Sequence, residues 1–301
     1  MIGQVIQAIL LGGYYALTAA GLTFMLQVMR VINLAHGSLA IAFAYAVYAL
    51  ATRGVNPFLG LLIILPVAAA VGWALQRLLL ERAARGGELL PLLSTFGLAI
   101  VLDNVLFQMF GANARGLSQF LGDLSFAAYE LPGKLYVGKL PVWILATAIV
   151  VLGGLHLMLT RTGLGRRIRA TAMDPVTAGL VGVDARQSAA IASAIAMMMV
   201  ALSGVALGFR TVFDAYAGGP QLLFAFEATI IGGARSLWGV FAGAMVLAFA
   251  QTIGAMIHPQ GFLLGGHVMF LVVLFARLAL GQGTIGLRLR ALLTGGTHAN
   301  R

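Results

Sequence analysis

The chain has 301 residues, of which 60% are hydrophobic and only 9% charged, and its 19 Lys+Arg outnumber its 9 Asp+Glu to give a formal charge of +10. A soluble domain is about 45–50% apolar and about 25% charged, so this chain lacks the polar residues to coat a water-facing globule and belongs in a bilayer. At about 20 residues per span there is room for roughly eight to ten helices and none for a separate soluble enzymatic domain, while the absence of cysteine excludes disulfides, thiolate metal sites and a Cys nucleophile.

In chain order, the first apolar segment runs from Met1 to Leu26 with no Lys or Arg before Arg30. It is too long and lacks the basic start of a signal peptide, so it is kept as a span. Further apolar segments follow at 35–52, 58–80, 90–111, 141–159, 187–209, 222–234, 237–257 and 262–280. The reading is an all-α, polytopic membrane helix bundle of about eight to nine spans. The segment 222–234 is short, and the Gly232-Gly233 pair within it marks a short crossing or a broken helix. Residues 1–301 read as a single membrane domain.

Basic residues set the orientation. Arg77, Arg82 and Arg85, the segment Arg161–Arg186 with five arginines, and the tail with Arg288, Arg290 and Arg301 are placed in the cytoplasm. Asn113–Leu140 and the N-terminus then fall on the opposite side. The charge excess therefore calls for no nucleic acid. Small-residue pairs such as Gly204/Gly208, Gly239/Gly243 and Gly261/Gly265 read as helix-packing contacts, because lipid provides no hydrophobic drive for helices to associate.

Polar residues inside the membrane cost about 2.5–3.5 kcal/mol each if ionisable, and so demand a partner or a wet cavity. Asn33, His36 and Gly37 lie at the start of the second span, either lining a pathway at an unwound helix start or forming a local hydrogen-bond cluster. Ser94, Gly97, Val101, Asn104 and Gln108 make one stripe on the fourth span, with Asp103 beside it; that stripe faces a cavity or another helix. Glu227 and Arg235 bracket the short segment, where a structural pairing of Glu227 with an arginine competes with a binding role. No phosphate-binding loop, zinc-protease helix or nucleophile elbow is present, and His156, His258, His267 and His298 are widely scattered, so catalysis is the weaker class.

The segment 160–186 is longer than a connector requires. Within it Asp174-Pro175 is a cap followed by a first-turn proline, which predicts a helix over Pro175–Leu180 ended by Gly182. The segment is either a basic loop held at anionic lipid headgroups or a docking element for a cytoplasmic partner.

Taken together, Ala16–Thr23, Ile32-Asn33-Leu34-Ala35-His36-Gly37, Ser94-Thr95-Phe96-Gly97 with Asn104, Thr162–Arg166, Ala170–Asp174, Ala178 to Gly182-Val183, and Ile231-Gly232-Gly233 through Ser236–Gly239 resemble the LivH-type permease subunits of bacterial branched-chain amino acid ABC importers. Permeases for urea and short amides share much of this pattern. The resemblance implies a subunit of the bacterial inner membrane that works with a LivM-like second permease, two ATPase subunits and a periplasmic substrate-binding protein. ATP and magnesium would be bound by the ATPases, and this chain would carry no cofactor or metal. It also implies a coupling helix within Arg169–Gly182, with Arg166, Arg169, Asp174, Ala178 and Gly182 at the matching positions and small residues seating it in a groove of the ATPase. Asn33, His36, Gly37, Asn104, Gln108 and Glu227 are then the candidate pathway residues. Glu227 stands where the resemblance leads one to expect an uncharged side chain, and Asp103 is an acidic neighbour of Asn104. A proton-coupled carrier using Asp103, Glu227 or His36 and an intramembrane enzyme are the remaining alternatives; for the latter, Ser38 and His36 would face apart on a helix.

Overall fold

The computed structural model describes residues 2–87, 89–132, 135–234 and 236–281. In chain order its helices are α1 (Ile2–Met29), α2 (His36–Ala51), α3 (Pro57–Ala74), α4 (Glu81–Ala84), α5 (Leu89–Phe110), α6 (Lys139–Arg161), α7 (Gly163–Met173), α8 (Pro175–Leu180), α9 (Ala185–Arg210), α10 (Gly218–Gly232), α11 (Leu237–Ile257) and α12 (Gly261–Gly281). A π-helical turn, Leu75–Leu80, joins α3 to α4, so one helix runs over Pro57–Ala84.

Seven of these helices are long and apolar enough to cross a bilayer. α2 and α10 have 16 and 15 residues, about 24 and 22 Å at roughly 1.5 Å per residue, against a hydrocarbon core of about 30 Å. The segment expected to be short or broken is thus one uninterrupted short helix. It stops at Gly232 because Gly233 turns to φ +85°, and the Arg277 guanidinium donates to the freed Ile231 carbonyl at 3.0 Å.

α1 occupies the centre. It is buried without a break from Leu10 to Met25 and packs against α6, α9, α10 and α11. Gly12, Gly13, Ala16, Ala19, Ala20 and Gly21 make this possible, because a helix approached from every side needs small residues on every side. The glycine pairs read from the sequence lie at helix contacts. A Cβ on Gly204 would stand 2.0 Å from the Ala40 carbonyl of α2, one on Gly243 2.3 Å from the Gly232 nitrogen of α10, and one on Gly265 2.5 Å from the Ala250 carbonyl of α11. α12 is peripheral, with Gly266 its only buried residue among those described.

Most of the described basic residues gather at one end of the bundle. There Glu81 is within salt-bridge reach of Arg77 (3.8 Å), Arg85 (3.3 Å) and Arg186 (3.1 Å), tying the start of α4 to the start of α9. The opposite end carries short 3-10 turns and one antiparallel hairpin, β1 (Ala128–Leu131) with β2 (Leu135–Gly138), the only strands among the described residues of an otherwise helical chain. Arg115 and Phe213 exchange backbone hydrogen bonds at 2.8 Å beside it. Arg235, Lys134 and the tail arginines Arg288, Arg290 and Arg301 lie outside the described residues.

Candidate functional site

The two short helices begin inside the bundle. The His36 ring nitrogen Nε2 is 3.0 Å from the Thr18 carbonyl oxygen, and Thr18 sits about 16 Å before the end of α1 at Met29. Residues 30–35 therefore fold back from the basic end to mid-depth before α2 starts. α10 enters from the opposite end and runs parallel to α1, since the Tyr14 hydroxyl donates to Gln221 (2.5 Å) and the Thr23 and Thr229 hydroxyls pair at 2.9 Å. The two helix starts touch: a Cβ on Gly37 would stand 1.9 Å from the Gly218 carbonyl oxygen, and one on Gly218 would stand 2.6 Å from the Ser38 nitrogen. Only glycine fits at either position. Neither helix has a side-chain N-cap, because Ala35 and Ala217 hold those places. Two positive helix ends without side-chain caps thus meet at one point in the bundle.

Backbone at this depth must be satisfied by protein. Asn33 does part of that work: its side-chain oxygen accepts from the Ala35 amide at 3.0 Å, its carbonyl accepts from the His36 amide at 3.2 Å, and the Thr95 hydroxyl of α5 accepts from the Leu34 amide at 3.1 Å. Asn33 and His36 are fully buried. They hold the shape of the helix start.

Beside the junction lies an almost wholly apolar groove of about 410 Å³, lined by Ile32, Leu34, Leu92, Leu222 and Phe226 with Gly219 of α10. It adjoins the face of α5 that the chain leaves uncovered, where Phe96, Val101, Val105 and Met109 are exposed together with Asn104 and Gln108. The stripe read from the sequence faces outward and makes no side-chain bond to another helix among the described residues; the Asn104 amide donates to the Ile100 carbonyl of its own helix at 2.7 Å. Asp103 turns toward Ser38 of α2 and is half-buried, with one carboxylate oxygen unpartnered.

Glu227 belongs to a different place. Its side chain is 1% exposed, and the His267 ring nitrogen Nδ1 of α12 lies 2.5 Å from one carboxylate oxygen, so among the described residues its partner is a histidine rather than the arginine weighed from the sequence. Among the described residues the other oxygen has no partner, and neither has the Gln251 amide nitrogen. The Tyr15 hydroxyl donates to Gln251 at 2.5 Å, and the Arg210 guanidinium lies 5.0 Å over the Tyr14 ring. This polar layer of Tyr14, Tyr15, Gln221 and Gln251 was not read from the sequence. The available signal was single polar tips in otherwise apolar spans, with nothing to say that they share a depth. The six candidate pathway residues accordingly divide into a buried junction (Asn33, His36, Gly37), an uncovered face (Asn104, Gln108) and the Glu227–His267 pair.

At the basic end the expected helix is present with the expected bounds. Asp174 caps α8, accepting from the Val176 and Thr177 amides at 2.9 and 3.2 Å and from the Thr177 hydroxyl at 2.5 Å. These bonds, the hydroxyl first, hold its carboxyl below the usual carboxylate range. Gly182 closes the helix at φ +80°, and Asp184 caps α9. α7 folds back on α6 so closely that a Cβ on Gly165 would stand 2.2 Å from the Met158 carbonyl, leaving Arg166 and Arg169 exposed. Ala178 departs from expectation. It is 4% exposed and turned toward its own chain, while Met173, Val176, Leu180 and Val181 are 75–84% exposed. The outward face of α8 is bulky and apolar; its small residue serves the inward one.

The family model for the branched-chain amino acid transport system permease component matches residues 4–278. The chain is similar to the high-affinity branched-chain amino acid transport system permease protein BraD of Pseudomonas aeruginosa, at 27% identity over 90% of this chain and 92% of that one. It is similar to LivH of Escherichia coli at 28% identity over 84% and 85%, and to the probable LivH of Methanocaldococcus jannaschii at 28% over 90% and 88%. No solved structure matches the chain at a significant level.

Proposed function

The chain belongs to the family of permease components of branched-chain amino acid transport systems, and we propose that it forms half of an amino acid passage and docks the ATPase that drives it. It is a transport subunit rather than an enzyme. The observation that carries the substrate reading is the junction of α2 and α10 beside the apolar groove. Two uncapped helix starts offer amide donors and positive ends suited to a carboxylate, and Leu34, Leu222 and Phe226 offer a wall suited to a branched aliphatic side chain. Urea has neither group. Short helices starting at mid-membrane are the arrangement in which transporters place polar backbone next to a substrate.

The uncovered face of α5 and α10 supports a second permease, LivM-like or another copy, completing the passage, with Asn104 and Gln108 facing it. The apolar outer face of α8, rigidly capped at both ends within the segment 160–186, supports docking of a cytoplasmic ATPase. Arg166 lies on the exposed side of the neighbouring α7. ATP and magnesium are bound by two such ATPases in this reading, a periplasmic binding protein delivers the amino acid, and the complex sits in the bacterial inner membrane with the basic end in the cytoplasm.

The test is reconstitution with the partner permease, ATPases and binding protein in proteoliposomes. ATP-dependent leucine uptake, competed by isoleucine and valine and indifferent to a protonophore, is the expected result. Uptake of urea or a short amide without leucine would replace the substrate reading, and uptake by this chain alone would remove the ATPase from it. For docking, Leu180→Asp with Val181→Asp is expected to abolish co-purification of the ATPases while the permease remains folded. Undiminished co-purification would show that α8 is not the contact.

A further inference from the structure

We propose that the cavity between the last turns of α1 and α6, the helix α7 and the first turn of α11 is a binding site for the headgroup of an anionic phospholipid. The cavity measures about 710 Å³ and lies at the basic end. Arg30, Arg169 and His156 line it, and among the described residues no acidic side chain does. The salt-bridged arginines among the described residues, Arg77, Arg85 and Arg186, are all engaged by Glu81; Arg30 and Arg169 meet no carboxylate there. Two guanidinium groups facing one space without a counter-ion suit a phosphodiester, which accepts several hydrogen bonds from each.

Two further polar residues line the same space. Gln27 is one of them. Ser236, also on the wall, caps α11 by accepting from the Gly239 amide at 3.1 Å, so the positive end of that helix faces the cavity as well. Arg30 holds its place through an unusual backbone: at φ +54° it is the only non-glycine residue with a positive φ among the described residues, at the point where the chain leaves α1 and turns back into the bundle.

The remaining wall distinguishes a lipid from a soluble phosphate. Leu26, Leu159, Leu237 and Trp238 are apolar, and Trp238 is exposed at the start of a membrane-crossing helix. Such a tryptophan marks the membrane–water interface. A phosphate held at that depth by arginines, with apolar helix sides running from it into the bilayer, has somewhere to place acyl chains. Basic pockets between spans on the cytoplasmic side bind anionic headgroups by this logic.

The test uses the full-length chain in detergent, offered phosphatidylglycerol and phosphatidylcholine in equal amounts, with retained lipid counted by native mass spectrometry. Phosphatidylglycerol is expected to be preferred, and Arg30→Gln and Arg169→Gln each to lower that preference about 5-fold. Arg30→Lys with Arg169→Lys retains part of it, and Arg53→Gln, exposed at the opposite end, leaves it unchanged. Equal retention of the two lipids, or the same preference in the double Gln variant, would overturn the proposal. So would complete displacement of phosphatidylglycerol by inorganic phosphate, which would make the site one for a soluble anion. If the double Gln variant does not fold, Arg169→Gln alone, on the exposed side of α7, decides the matter by the same ratio.

Discussion

Glu227 is enclosed by apolar helices with one partner, His267, and that pairing dictates what substitution does. The His267 side chain is 39% exposed and that of Glu227 1%, so removing the histidine leaves a buried carboxyl unpaired, whereas removing both leaves no unpaired polar group. His267→Leu is therefore expected to lower the melting temperature in detergent sharply, and Glu227→Leu with His267→Leu to restore most of it. A double variant as unstable as the single one would show that the two residues do not depend on each other. Gly37 is constrained by space rather than charge. With the Gly218 carbonyl where a Cβ would go, Gly37→Val forces α2 and α10 apart, at a cost of about 3 kcal/mol or more. Transport should be lost and thermal stability lowered together; a stable, active variant would disprove the contact.

Among the elements, α8 is the shortest helix outside the bundle and depends most on its caps. The Asp174 carboxylate bonds two amides and a hydroxyl, and its carboxyl is held below the usual range. A folded-state value below the unfolded one means that the contribution is complete above the ordinary carboxylate pKa of about 4. It is lost as pH falls through the lowered value. Amide exchange in Val176–Val181, corrected for intrinsic rates, is expected to stay slow from pH 7 to about 4 and to accelerate below that. In Asp174→Asn the acid-dependent step should vanish. At the other end, Gly182→Ala places a Cβ on a residue at φ +80°, at a cost of about 1 kcal/mol. It should weaken ATPase co-purification without changing the melting of the spans, a separation that circular dichroism and pull-down measure side by side.

For the molecule as a whole, the orientation can be tested directly because the native chain has no cysteine. Phe126, 91% exposed near the hairpin, and Leu180, 84% exposed on α8, mark opposite ends. An impermeant maleimide on intact cells should label Phe126→Cys and reach Leu180→Cys only after permeabilisation; the reverse pattern would invert the bundle. Large parts of α3, α5, α6 and α12 are uncovered by the chain itself. On most of these faces lipid suffices, but the one on α5 carries Asn104 and Gln108 beside the α2–α10 junction, which is where a second permease is expected.

The sequence by itself determined the bilayer, the positions of the spans to within a few residues, the capped helix over Pro175–Leu180 and the family, because hydropathy, charge asymmetry and cap chemistry act over short stretches of chain. It also identified 222–234 as anomalous from its length alone. Only the tertiary structure decided that α2 and α10 both begin at mid-depth and meet at Gly37 and Gly218, that Glu227 pairs with His267, that Ala178 faces inward, and that Tyr14, Tyr15, Gln221 and Gln251 share one layer. Depth in the membrane and the facing of one helix toward another depend on contacts between residues far apart in the chain. In spans where nearly every side chain is apolar, local periodicity carries too little contrast to say which face meets which partner.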